Sequence, residues 1–251
     1  MVIESKNNKI FKKLKKRLNK KYRQQERIFL VEGPVVIEEA IKYFKPLEIA
    51  IAKNKLNEYR SFLMDLPIDR IYTFSEELFH QLADAENPQG IIGYFPFLDG
   101  DFKDIKKQKG KYIYCDNIRE PGNLGGMIRS ADAFGMDGVL ISPHSVEVYN
   151  PKTIRSTMAS IFRIPIYLVE LEDLFQLPAS LLVSTVDQGK KFTDLEIIEN
   201  QILVIGNEAH GVRREILDRA DQKVYIPMRQ GVDSLNANVA ASILMYEMTK
   251  L

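Results

Sequence analysis

The chain has a single cysteine, Cys115, so no internal disulfide can form. Its three histidines, His80, His144 and His210, show no metal-ligand spacing with one another or with Cys115, and no metal site is expected. No apolar run reaches the roughly 18 residues of a membrane-spanning helix. The N-terminal stretch MVIESKNNKIFKKLKKRLNKK is basic but lacks the apolar centre of a secretory signal, which makes the cytoplasm the expected compartment. Glycine-rich nucleotide loops are missing as well. Gly122, Gly125, Gly126 and Gly135 have the wrong spacing for G-x-G-x-x-G, and no Gly-Lys-Ser/Thr follows them. Internal repeats and low-complexity tracts are absent, and 45% hydrophobic with 27% charged residues excludes a disordered chain.

The charge that is present lies unevenly. The net charge is +1, yet residues 1–27 hold eleven Lys or Arg against only Glu4 and Glu26, so the remainder is net negative. Such a concentration is the electrostatic footprint of a phosphate-backbone binder, with a merely solvated helix face as the alternative. Ile10, Leu14 and Leu18 recur every four residues, which predicts an amphipathic helix with lysines and Arg17 on its outer face. Lys12, Lys13, Lys16, Arg17, Lys20, Lys21 and Arg23 are the candidate contacts to nucleic acid.

At 251 residues the chain has room for two modest domains. In the first half RIFLVEG, PLEIAIA, IDRIYTF and GIIGYF read as strands, and PVVIEEAIKYF, NEYRSFLMDL and SEELFHQLADA as helices. This predicts an α/β unit over 1–98, and the polar LDGDFKDIKKQKG predicts a linker over 99–110. From 111 to 251 strands alternate with helices: KYIYCDN, GVLIS, IPIYLV, SLLVSTV, QILVIGN and KVYIPM against NLGGMIRSADAFG, NPKTIRSTMASIF, LEDLFQL, GVRREILDRA and a last helix from Ser234. That alternation implies a mostly parallel sheet covered on both faces, with ligands at the carboxyl ends of its strands.

Three strand ends carry the chemistry-bearing residues. In EPGNLGGMIRSADAFG, a turn at Pro121–Gly122 leads to Asn123, which reads as a helix N-cap, and the glycines allow close backbone approach. Arg129 follows on that helix, either as a surface ion-pair partner or as a site residue. In VIGNEAHGVRREIL, Gly206 lets a ligand approach the backbone and the following amides can bind it; Glu208 either orients a polar partner or accepts helix amides, and His210 reads as a loop histidine. In YIPMRQGVDSLNANVAASILMYE, Ser234 and Asn236 stand at a helix start as caps, while Leu235, Val239, Ile243 and Tyr246 read as a buried stripe. Arg155 and Arg163 could face a nucleic acid or a second subunit, and the sequence leaves both open.

In this order and spacing, PGNLGGMIRSADAFG, IGNEAHGV and IPMRQGVDSLNANVA resemble the motifs of the SpoU/TrmH family of RNA ribose 2′-O-methyltransferases, from about residue 110 to the C-terminus. The first half is more loosely similar to the ribosomal-protein-like substrate-binding domain of such enzymes. The resemblance implies a trefoil-knotted, SPOUT-type α/β fold, S-adenosylmethionine as methyl donor, and a homodimer whose active site is completed across the subunit interface. Members with this extension mostly modify ribosomal RNA, so 23S rRNA is favoured over tRNA as the partner. Carried over, Arg129 is the catalytic arginine, Asn123 the asparagine of the first motif, and Glu208, Ser234 and Asn236 the polar residues of the second and third. The cofactor is expected against Gly206, Ile226, Leu235 and Asn236. Two departures stand out: Asn238 replaces a frequent serine, and Ala159 a frequent glycine. A non-enzymatic RNA-binding protein is the rival class, although such a module has no need to retain this polar set together.

Overall fold

The computed structural model describes residues 2–64, 68, 70–106 and 109–249. In chain order the elements are β1 (Val2–Ile3), α1 (Lys9–Lys16), α2 (Lys20–Glu26), β2 (Ile28–Glu32), α3 (Pro34–Ile41), β3 (Glu48–Ala52), α4 (Arg60–Met64), β4 (Ile71–Phe74), α5 (Glu76–His80), β5 (Ile91–Pro96), α6 (Phe102–Ile105), β6 (Lys111–Cys115), α7 (Pro121–Ala133), β7 (Gly138–Ile141), α8 (Pro151–Thr157), β8 (Ile166–Leu168), α9 (Leu171–Leu174), β9 (Ser180–Thr185), β10 (Lys190–Lys191), β11 (Gln201–Ile205), α10 (Arg214–Leu217), β12 (Gln222–Tyr225) and α11 (Ala237–Thr249). They form two compact units, Met1–Phe97 with Tyr149–Phe162, and Leu98–Val148 with Arg163–Leu251. Asp65 and Leu66 of the predicted helix NEYRSFLMDL, Asp69 ahead of β4, and Lys107 and Gln108 of the expected linker lie outside the described residues. The rest of that linker carries α6, whose Ile105 is buried in the core of the second unit.

The first unit is a mixed sheet in the order β1-β4-β3-β5-β2, with β5 antiparallel to both β2 and β3. One face packs Leu30, Ala50, Phe74 and Tyr94 beneath Phe11, Leu14 and Leu78. On β2 and β5, Phe29 and Phe95 meet rings from the 149–162 segment: Tyr149 lies 4.8 Å from Phe29, and Phe162 5.1 Å from Phe95, centroid to centroid. Arg155, on α8, donates to Asp84 at 2.8 Å and is thereby an internal tie of this unit. Arg163, in the second unit, grips Asp132 through Nε at 2.9 Å and Nη2 at 2.6 Å.

The basic segment departs from expectation in two ways. It is two helices, because Asn8 caps α1 by accepting the Ile10 N–H at 2.8 Å and Asn19 caps α2 by accepting that of Lys21 at 2.9 Å. Arg17 and Arg23 are also not on its surface: they are 1% and 2% exposed. Arg17 is ion-paired with Glu48 and with Glu26, and its guanidinium lies 5.1 Å from the centre of the Tyr94 ring. Arg23 donates to the carbonyls of Arg17 and Leu18. Burial alone would raise the Glu48 carboxyl, but hydrogen bonds from Lys13 and Arg17, with their charges, outweigh it and hold it below the usual carboxylate range. Lys12, Lys13, Lys16, Lys20 and Lys21 remain exposed.

The second unit has seven strands, all parallel, in the order β10-β12-β9-β11-β6-β7-β8. Tyr112, Tyr114, Leu140 and Ile202 pack on one face, while α7 and α11 bury Leu124, Met127, Leu244 and Met245. The last helix starts at Ala237 rather than Ser234, since Asn236 Oδ1 accepts the Asn238 and Val239 N–H groups at 3.0 and 3.2 Å and so forms the cap. Its predicted buried stripe is also corrected. Val239 and Tyr246 are 45% and 56% exposed, and the face turned inward is Ala241, Leu244, Met245 and Met248. Nine apolar residues within thirteen let either face qualify by pattern; the position of α7 chooses between them.

The turn after α8 places Ala159 at a position that favours glycine. Met158 and Ala159 adopt φ of 47° and 71°, the left-handed region where a Cβ is strained. Ala159→Gly relieves roughly 1–2 kcal/mol of that strain against roughly 0.4–1 kcal/mol for glycine's freer unfolded chain. A net stabilisation of about 1 kcal/mol is expected, read as a higher urea midpoint; an unchanged or lower midpoint would show that the turn carries no strain at this position.

Candidate active site at the carboxyl ends of the strands

The chain leaves β6 for β7 and β8 on one side and returns to β9, β11 and β12 on the other, so β6 and β11 lie side by side at the point where the order reverses. Loops diverging from such a pair leave a crevice. A cavity of about 470 Å³ opens on the β11 side of this point, at the carboxyl ends of β9, β11 and β12, lined by Ile205, Gly206, Glu208, Ile226, Ser234 and Leu235 among others. Its size and its mixture of apolar walls with a few polar groups suit one small organic ligand.

Three loops are pinned to one another at this cavity. Glu208 accepts the backbone N–H groups of Arg119 and Glu120 at 3.2 and 3.3 Å and the Asn123 amide at 2.8 Å. Asn123 in turn accepts Asn236 Nδ2 at 2.9 Å. Asn123 is therefore no N-cap: Glu120 occupies that position, Pro121 begins the helix, and the Asn123 side chain is a bridge between loops. Burial would raise the Glu208 carboxyl, but the bonds from Asn123 and the backbone amides prevail and hold it below its usual value. Asn207 adds a further tie, donating to Asn117 O at 2.8 Å.

Gly206 has a role the sequence did not reveal. A Cβ there would fall on the backbone of Gly211 and Val212, so the residue is needed for the loop to fold back on its own strand, whatever ligand is near. Arg129 is exposed on α7 and, among the described residues, has no hydrogen-bond or ion-pair partner, so a surface ion pair does not account for it. His210 is exposed, its backbone N–H is held by Asn207 Oδ1 at 3.1 Å, and the residue is among those lining the cavity. Cys115 is buried, and burial, then the charges of Asp116 and Glu208, push its thiol far up, which removes it as a nucleophile.

Of the residues singled out from sequence, Gly206, Glu208, Ile226, Ser234 and Leu235 line one cavity, and Asn123 and Asn236 are joined to it by hydrogen bonds. Arg129 is not among its lining residues. The end of β9, Ser184 to Gln188, also lines it and was missed. The signal was available, since SLLVSTV was recognised as a strand and ligands sit at strand ends. Among the described residues no cluster of three His, Cys, Asp or Glu is placed to hold a metal.

Fold and cavity define a class, an α/β protein whose second unit is an all-parallel sheet with a cavity suited to a small ligand at the carboxyl ends of its strands. Residues 110–246 match the model of the SpoU rRNA Methylase family, and residues 7–93 that of the MRM3-like substrate binding domain. The chain is 30% identical to the Bacillus subtilis (strain 168) 23S rRNA (guanosine(2553)-2'-O)-methyltransferase RlmP, with 98% of each covered. Its structure resembles that of the AdoMet-bound rRNA methyltransferase from Sinorhizobium meliloti, with a TM-score of 0.89, 25% identity, and 100% and 97% of the two chains covered. It also resembles the SpoU methyltransferase AviRb from Streptomyces viridochromogenes in complex with AdoMet, with a TM-score of 0.86, 26% identity, and 97% and 98% covered. The chain belongs to the SpoU rRNA methylase family.

The pins make a pH-dependent prediction. A carboxylate held below its unfolded value contributes fully above that value and is lost as pH falls through the folded one. Amides 119 and 120 are expected to keep their hydrogen-exchange protection factors from neutral pH down past the ordinary carboxylate range and lose them below it. In Glu208→Gln, which has fewer acceptor positions, both should exchange about tenfold faster at neutral pH, the equivalent of one lost bond of roughly 1.4 kcal/mol. Unchanged protection would mean that the carboxylate does not hold the loop.

Proposed function

We infer that the protein is an S-adenosylmethionine-dependent ribose 2′-O-methyltransferase acting on ribosomal RNA, 23S rRNA in particular. The observation that carries this is the Glu208–Asn123–Asn236 chain of hydrogen bonds, which joins all three family motifs at one cavity. The cavity fits the cofactor in size and chemistry, with Ile226 and Leu235 as apolar walls and the backbone after Gly206 as a source of donors and acceptors. When bound, S-adenosylmethionine supplies an electrophilic methyl group for in-line displacement by the ribose 2′-oxygen.

The chain's own residues must then position that oxygen and stabilise the charge developing on it. Arg129 is the residue suited to this. A guanidinium offers a planar fork of donors and no acceptor, which makes it a clamp for a phosphate and a nascent alkoxide rather than a base. Asn123 and Ser234 align the ribose or the arginine, and Asn236 supports the cofactor loop. The exposed Lys12, Lys13, Lys16, Lys20 and Lys21 provide the phosphate-binding face of the first unit, the part that matches a substrate-binding domain. Ribosomal RNA is favoured over tRNA by the relatives, and the cytoplasm, where ribosomes are built, is the proposed compartment. No helix among the described residues is long and apolar enough to cross a membrane.

Two finer features belong to the same reading. One is the threading of the last segment as a trefoil knot, consistent with a chain that returns between strands already laid down. The other is a homodimer. It is supported by the outward Val239 and Tyr246 on α11, with Phe134 of α7 packed edge-on to Tyr246 at 5.7 Å, a surface that water solvates poorly. Sedimentation is expected to show a dimer that Val239→Asp with Tyr246→Glu converts to a folded monomer; a wild-type monomer at micromolar concentration would reject it.

Deleting the gene should remove one ribose methyl mark from large-subunit rRNA, restored by the wild-type chain. Arg129→Lys, which keeps the charge but loses the planar fork, is expected to bind cofactor normally and to turn over about 100-fold more slowly or worse. A missing mark on tRNA instead would overturn the substrate, and near-normal turnover would overturn the clamp.

A further inference from the structure

The loop from Gly206 to Val212 lines the cofactor cavity along most of its length, yet it spans two elements and buries only Gly206 and Val212. Such a segment, left to itself, samples many conformations, and each closed ligand-binding shape is a fraction of them. Here both ends are fixed. At one end Gly206 continues β11. At the other, Arg213 meets Asp116, the residue following β6, which is 0% exposed. Asp116 Oδ2 accepts the Arg213 backbone N–H at 3.0 Å, and Oδ1 accepts Arg213 Nε and Nη2, each at 2.7 Å. Nη2 also reaches the Tyr114 hydroxyl at 3.3 Å, which itself donates to Val169 O. The N–H of Asp116 is bonded to Ile205 O at 2.8 Å, so the carboxylate is anchored to the very strand from which the loop departs.

One carboxylate thus holds both the main chain and the side chain of a single residue, which fixes the position and the rotation of the loop's far end. Between the two anchors Asn207 and Gly211 exchange backbone hydrogen bonds of 3.0 and 2.9 Å, closing the intervening residues into a ring. We propose that the Asp116–Arg213 pair is a positioning device that pre-forms the cofactor loop, so that affinity for S-adenosylmethionine depends on it while turnover at saturating cofactor does not. This rests on the methyltransferase reading. The arithmetic is direct: apparent affinity scales with the fraction of molecules already in the competent shape, so a loop that is competent about one-tenth of the time binds about tenfold more weakly. Arg213 touches neither ligand nor RNA in this role and acts through the backbone it holds.

Titration calorimetry with S-adenosylmethionine, together with kcat at saturating cofactor and thermal melting without it, tests the pair. Arg213→Ala is expected to raise Kd by about tenfold or more, with kcat at saturation within threefold of wild type. Arg213→Lys, which keeps the charge and backbone N–H but loses the two-pronged grip, should recover part of the affinity, and Asp116→Asn should behave like Arg213→Ala. A variant that melts earlier but binds cofactor within twofold of wild type overturns the proposal, since that is what a purely structural ion pair would do. A fall in saturated kcat equal to the loss of affinity overturns it too. Should Asp116→Asn fail to fold, the two Arg213 variants decide alone, because that guanidinium is 25% exposed and its loss opens no sealed cavity. Wild-type protein that does not bind S-adenosylmethionine at all would reject the functional reading itself, whereas equal binding by wild type and Arg213→Ala rejects only the positioning role.

Discussion

The carboxylate of Glu208 is the constraint on which the site depends. Loops leaving a parallel sheet come from strands whose ends diverge, and they have no ladder of their own to hold them. Here Glu208 collects two backbone amides from the β6–α7 loop and one side-chain amide from α7, and Asn123 passes the connection on to Asn236 at the start of α11. Charge-assisted bonds of this kind are stronger than neutral ones, and several converging on one acceptor fix direction as well as distance. The first motif, the second and the third are distant in sequence, and the side chains of Glu208 and Asn123 together bring them into register.

The first unit uses charge differently. Arg17 lies beneath the basic helices, 1% exposed, neutralised by Glu48 and Glu26. A buried pair of this sort contributes little net stability but is costly to break, so it fixes which way the helices face. The consequence is a sorting of the basic residues. Two arginines become internal struts, and the lysines between them are left in solvent, where a compact ammonium on a flexible stem suits phosphate contact without demanding fixed geometry.

The seam between α7 and α11 sets what the second unit displays. A Cβ on Gly126 would lie 2.6 Å from Asn238 Cγ, so the glycine makes room for the Asn238 side chain. One turn further, Ser130 and Ser242 share a hydrogen bond of 2.8 Å. This polar, close-packed seam rotates α11 so that its Leu and Met residues face the sheet and Val239 and Tyr246 face away. It leaves Arg129 uncovered on α7.

Sequence alone determined what local chemistry can encode. The alternation of apolar runs and helical patterns pointed to two α/β units and a mostly parallel second sheet, and three motifs that resemble one family singled out Asn123, Arg129, Glu208, Ser234 and Asn236 as candidates. Tertiary structure decided everything that depends on which neighbour a side chain meets. Composition presents Arg17 and Lys16 as equals; only the presence of Glu48 on β3 buries one and exposes the other. Periodicity cannot choose between two apolar faces of α11, because both satisfy it until α7 occupies one side. The partners of Glu208 and of Asp116 lie more than eighty residues away along the chain, and a hydrogen bond across that separation is formed by the fold, leaving no pattern in the sequence to read.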